Sequence, residues 1–105
     1  FPYTTLFRSK EKKHSRTNWQ TFVCILLDNA PCNRFALMIT LGEMGVASRR
    51  SNVNAHEEPP YQPQNWNLPI SERVVDRGIA LPMFAGLTED NVHRCVQVIK
   101  EKYGC

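Results

Sequence analysis

A two-layer α/β sandwich, with about three strands packed on three helices, is the architecture this 105-residue chain encodes. Two patterns lead to it. Short apolar, β-branched runs alternate along the chain with segments whose apolar residues recur at helical spacing. The length also supports a single hydrophobic core, not two.

The chain opens on FPYTTLFRS, an aromatic-rich stretch without an initiator Met. Back-translated with suitable codons, it resembles the end of a widely used short-read sequencing adapter. Residues 1–9 are therefore read as a translated cloning scar and set aside from fold reasoning. Residues 10–16 (KEKKHSR) form a basic segment of unassigned origin, and 17–105 are the folding unit.

TFVCILLD (21–28) is a continuous apolar run whose length suits a buried strand. APC breaks it. From Asn33 the pattern turns helical, with Phe35, Met38 and Ile39 on one face and Leu41 and Met44 at its flank. Asn33 or Cys32 caps the start, and Gly45 stands where a left-handed C-terminal residue belongs. GVAS (45–48) is a second strand. A polar stretch, 49–67, follows with three prolines and little periodicity. Long connections of this kind are usually functional or disordered.

SERVVDR (71–77) reads as a short helix capped by Ser71. GIALPM (78–83) is the third strand, ended by Pro82. The last helix is the clearest. Thr88 caps it, and Glu89 and Asp90 suit the positive end of its dipole. Val92, Cys95, Val96, Ile99 and Tyr103 make one apolar stripe.

The net charge of +3 is unevenly spread. Residues 1–16 carry five basic side chains against Glu11, a net of +4, while the remainder carries eight basic and nine acidic, a net of −1. A nucleic-acid partner would thus rest on the basic N-terminal segment alone. No apolar run reaches the roughly 18 residues of a membrane span, and residues 1–9 lack the parts of a signal peptide. Cys24, Cys32, Cys95 and Cys105 form no C-x-x-C pair and no zinc spacing, so no metal site is expected. Cys24 and Cys95 read as small buried hydrophobes, and a reduced cytoplasmic setting fits them.

The chemistry-bearing residues gather in the polar stretch: Arg49, Arg50, His56, Glu57, Glu58 and Tyr61. Guanidinium groups grip phosphate or carboxylate through paired donors, and an imidazole hydrogen-bonds or titrates near neutral pH. A solvated loop with an Arg–Glu pair explains the same composition. His93 lies off the apolar stripe and reads as surface. Trp19 and Trp66 are able to stack on a base or sugar, although aromatic residues more often pack. Glycine-rich nucleotide loops, H-E-x-x-H and G-x-S-x-G are absent from the sequence, and consecutive Glu57 and Glu58 do not face each other as a glycosidase pair must.

Several ordered blocks carry a more specific signal. Gly45, Val46, Ser48, Arg49 and Arg50 match a G-I-x-T-R-R-G segment. Ala55, His56, Glu58, Pro59 and Tyr61 match A-H-x-E-P-A-Y. Leu68, Pro69, Ser71, Glu72, Leu81, Pro82, Gly86, Leu87, Thr88 and Glu89 match an L-P-x-S-E, L-P and G-L-T-E series. RTNWQTF (16–22) looks like the strand entry of the same pattern. In these blocks the chain resembles the C-terminal end of the DegT/DnrJ/EryC1/StrS sugar aminotransferases, in the perosamine-synthetase-like branch. Ser51 and Asn52 depart from the usual Gly and apolar residue, and Pro60 from a small one.

The resemblance implies the small C-terminal domain of a fold-type I enzyme dependent on pyridoxal 5'-phosphate. Such enzymes move an amino group from glutamate to a keto carbon of a nucleotide-linked deoxy sugar, usually as cytoplasmic homodimers with no membrane or nucleic-acid partner. The cofactor supplies the carbanion chemistry and the protein orients it. No lysine of this chain stands in the Schiff-base context, so the resemblance implies no catalytic residue here. The fragment alone is expected to bind no cofactor and to be inactive. Arg49, Arg50, His56, Glu58 and Tyr61 are the substrate-binding residues it implies, with the arginines on anionic groups and the others on sugar or phosphate. The alternative is a non-catalytic α/β interaction module that binds nucleic acid through its basic N-terminal segment.

Overall fold

The computed structural model describes residues 6–8 and 11–102, with side-chain surroundings for 11–101. Tyr103 and Cys105 lie outside the described residues. The elements are strand β1 (Leu6–Arg8), strand β2 (Phe22–Leu26), helix α1 (Arg34–Glu43), strand β3 (Arg49–Arg50), helix α2 (Pro69–Arg77), strand β4 (Gly78–Leu81) and helix α3 (Glu89–Lys102). All strand pairs are antiparallel, in the order β1-β2-β4-β3.

The expected α/β sandwich is present. The third expected strand falls next to the first in space, the second pairs with the far edge of the third, and a fourth strand joins the first. Leu6–Arg8, inside the stretch set aside from the sequence, pairs with Leu26–Cys24 along the edge of β2. The second strand is also displaced: pairing begins at Arg49 and not in GVAS, whose first two residues, Gly45 and Val46, are taken up in closing α1.

Side-chain alternation then builds the core. Cys24 lies opposite Ile79, so the two share a face with Leu26. That face is covered by Leu37 and Leu41 of α1, Val46 after it, and Val98 and Ile99 of α3. Cys24, as expected, is fully buried.

Helix α1 buries a different stripe from the one its sequence favours. Leu37 and Leu41 are enclosed, while Phe35 is 69% and Ile39 49% exposed. Two apolar stripes overlap on this helix, and the leucine pair is the one aimed at the sheet. Its ends behave as expected. Asn33 Oδ1 accepts from the Ala36 N–H at 2.9 Å, a side-chain N-cap. At the other end Gly45 takes φ +79°, and the Val46 N–H reaches back to the Leu41 carbonyl at 2.8 Å. That closure needs the left-handed glycine. Arg94 of α3 donates to the Met44 carbonyl at 2.9 Å and so caps α1 from the neighbouring helix.

Helix α2 begins two residues earlier than expected. Pro69 occupies its first turn, where a missing N–H costs nothing, and Leu68, not Ser71, is the capping position. Arg34 donates to the Val75 carbonyl near its end. In α3, Thr88 caps as expected, its Oγ1 accepting from the Asn91 N–H at 3.2 Å. The stripe holds in the second half only: Val98 and Ile99 are buried, Cys95 and Val96 half-buried, and Val92 is exposed.

The α2–β4 junction is tight. A Cβ on Gly78 would stand 2.5 Å from the Val74 carbonyl and 2.5 Å from Ser51 Oγ. Only glycine lets the helix end and Ser51 approach the strand this closely.

Candidate functional site

The polar stretch is ordered by short-range bonds. Between β3 and α2 the chain makes two 3-10 turns, Ala55–Glu57 and Gln62–Gln64. The Glu57 N–H donates to the Asn54 carbonyl, and the Tyr61 N–H to the Glu58 carbonyl at 2.9 Å. Gln62 Nε2 donates to the Glu57 carbonyl at 2.7 Å, which ties the two turns together. Asn65 adopts φ +57°, a left-handed position that asparagine tolerates. It turns the chain toward α2.

Two long-range contacts tie this stretch to α2, the first from Ser51 Oγ, which donates to the Val74 carbonyl at 3.4 Å. His56 Nε2 lies 3.0 Å from Glu72 Oε1, and the imidazole side chain is only 9% exposed. Glu72 is in the first turn of α2, so the pair joins the first 3-10 turn to the helix that precedes β4. Glu57 stands close by: one donor atom from each of His56, Glu57 and Glu72 lies within 4.8 Å of the others. The ion pairs that link α2 to Asp28 are more exposed. Asp28 accepts from Arg77 at 2.9 Å and faces Arg73 at 3.6 Å, pairs of the kind worth little in water.

The loop encloses a cleft of about 480 Å³ whose walls include His56, Tyr61, Gln64, Trp66 and Ser71. That is within the size range of small-molecule sites. Tyr61 is 49% and Trp66 61% exposed. Trp66 does not pack into the core; its indole N–H donates to Gln64 Oε1 at 2.7 Å, and the largely exposed residue lines the cleft.

The sequence-derived site residues separate in space. His56 and Tyr61 share this cleft. Arg49 lies opposite Ala80 and Arg50 opposite Ile79, so consecutive arginines project to opposite faces of the sheet. Arg49 lines a second cleft, about 200 Å³, with Thr21, Ser48 and Met83; its Nη2 is 3.5 Å from Thr21 Oγ1. Arg50 and Glu58 are exposed and line neither of these two clefts. Sequence reasoning passed over Glu72 and set Trp66 aside. Glu72 belongs to the L-P-x-S-E block, so two family-like blocks each holding one half of a His–carboxylate pair were the available signal.

A fold-type I cofactor needs a lysine for its Schiff base. No lysine lines either of these two clefts, and the residues that do line them do not by themselves fit pyridoxal phosphate. No described helix is long and apolar enough to cross a membrane.

The architecture is a small antiparallel sheet with helices and a long polar loop. Three solved structures share it. A sugar aminotransferase, CalS13, from Micromonospora echinospora superposes with a TM-score of 0.79 at 21% identity, over 93% of this chain and 25% of that one. The aminotransferase TlmJ from Streptoalloteichus hindustanus gives 0.80 at 16% identity, over 92% and 26%. A DegT DnrJ EryC1 StrS aminotransferase from Brucella abortus gives 0.79 at 22%, over 98% and 27%. The chain therefore spans about a quarter of the length of these proteins. No curated protein matches it. The profile of the DegT/DnrJ/EryC1/StrS aminotransferase family matches residues 2–100, and the chain belongs to that family.

Proposed function

We propose that this chain is the small C-terminal domain of a sugar aminotransferase that moves an amino group from glutamate to the keto carbon of a nucleotide-linked deoxy sugar. The family match over residues 2–100 is the observation that carries this reading. The likeness to the Micromonospora protein, a sugar aminotransferase, supports the substrate class. The parent enzyme uses pyridoxal phosphate, which supplies the carbanion chemistry when bound. The lysine and the remainder of the cofactor site lie in the larger domain, and the present chain is inactive by itself.

The role of this domain is to present a substrate-facing wall. Tyr61 supplies a ring and a phenol, and His56 an imidazole held by Glu72, in one cleft. Arg49, in the second cleft, suits an anionic group of donor or sugar nucleotide. Arg50 and Glu58 act only where another part of the enzyme meets their exposed faces. In the complete enzyme, His56→Ala should lower kcat/KM for the sugar nucleotide about tenfold or more, the loss of one charge-linked hydrogen bond. Unchanged kinetics would remove the loop from the site. Absence of aminotransfer in a complete enzyme with cofactor bound would remove the function.

A further inference from the structure

The tie between His56 and Glu72 has a chemical consequence. A carboxylate only accepts hydrogen bonds, so the imidazole must donate from Nε2. In the neutral ring this leaves Nδ1 as an acceptor. Among the described residues, Nε2 to Glu72 is the hydrogen bond His56 makes, and no buried side-chain nitrogen or oxygen lacks a partner. Nδ1 is therefore accessible, in a side chain that lines the Tyr61–Trp66 cleft. Trp66 has its N–H engaged by Gln64, so its ring face is what it offers a ligand.

We propose that Glu72 is a positioning residue that holds His56 with the Nδ1 lone pair toward this cleft, and that the cleft takes a pyranose ring. A ring hydroxyl donates to Nδ1, and the C–H face of the sugar lies on Trp66 and Tyr61. The remaining lining fits a polyol: Gln64 and Ser71 offer a neutral amide and a hydroxyl, and aromatic faces supply apolar area beside them. Arg49, in the other cleft, is the side chain suited to an anionic group. The choice of ligand rests on the sugar-aminotransferase reading; the orientation of His56 does not.

The test has two arms, both on the 105-residue chain near neutral pH. Long-range ¹H–¹⁵N spectra of the histidines should show His56 protonated at Nε2 and bare at Nδ1. Glu72→Gln, which keeps an acceptor oxygen, should preserve that pattern, and Glu72→Ala should give a mixture. Saturation transfer to UDP-glucose should fall on the pyranose protons several-fold more than on the uridine. It should be lost in Trp66→Ala, an exposed site whose change leaves the core intact, and reduced in Glu72→Ala but not in Glu72→Gln. His56 protonated at Nδ1, or a Glu72→Ala spectrum like the unsubstituted chain, overturns the positioning role. Transfer to uridine alone, equal binding of UDP, or no binding overturns the sugar cleft. A complete enzyme that transfers amino groups while His56 carries its proton on Nδ1 sinks this inference and spares the function. Sugar contact in a complete enzyme without aminotransfer does the reverse.

Discussion

The sheet–helix core and the 51–68 loop are built on opposite terms. In the core, Cys24, Leu37, Leu41, Ile79 and Ile99 are almost wholly removed from water, and burial on that scale dominates stability. In the loop, every residue from Glu57 to Leu68 is exposed. Its order comes from turn hydrogen bonds and from two contacts to α2, the His56–Glu72 pair and the Ser51 hydroxyl on the Val74 carbonyl. The core can therefore be altered only at high energetic cost. From Glu57 to Leu68 the loop can change its side chains at little energetic cost so long as His56 and Glu72 stay together. A substrate wall on such a loop varies without unfolding the domain that carries it.

That contrast can be broken first at Leu41. Leu41→Ala should cost about 2–5 kcal/mol, read from the urea midpoint, a large part of the whole stability of a domain this size. Trp66→Ala, by contrast, should move the midpoint by less than about 0.5 kcal/mol. Next comes the seam between the two regions. Gly78→Ala forces a methyl against the Val74 carbonyl and Ser51, at about 1–3 kcal/mol. Ser51→Gly should recover only part of that, since the Val74 backbone remains in the way.

The smallest effect belongs to Cys95. Burial raises its thiol above the ordinary value, an effect partly offset by the Arg94 guanidinium. The folded thiol holds its proton longer than the unfolded one. Its contribution to stability is thus nil while both are protonated and turns destabilising as pH rises past the unfolded value. Alkylation of Cys95 by iodoacetamide at pH 8 should accordingly be slower in the folded chain than in urea. Equal rates would show that the half-buried helix face is open.

Much of the core was legible because its signals are local. The Asn33 cap, the Gly45 closure, the Thr88 cap and the apolar run of β2 are each decided within a few residues. The stripe on α1 was misjudged because both of its faces are apolar, and only tertiary packing separates Leu37 and Leu41 from Phe35 and Ile39. The site was legible in composition but not in grouping. Period-two geometry sends Arg49 and Arg50 apart, which adjacency in sequence conceals. Glu72 is sixteen residues from His56, and no periodicity links a turn to the helix that follows it.

Native-state hydrogen exchange of the unsubstituted chain and His56→Ala tests the division between the two regions most directly. Loss of the contact to Glu72 should speed exchange of the Glu57, Glu58, Tyr61 and Gln62 amides, which turn hydrogen bonds protect, by tenfold or more, on the order of 1–2 kcal/mol. The amides of β2 and β4 should keep their rates. Loop amides that exchange as before, or sheet amides that quicken to the same extent, would contradict the account.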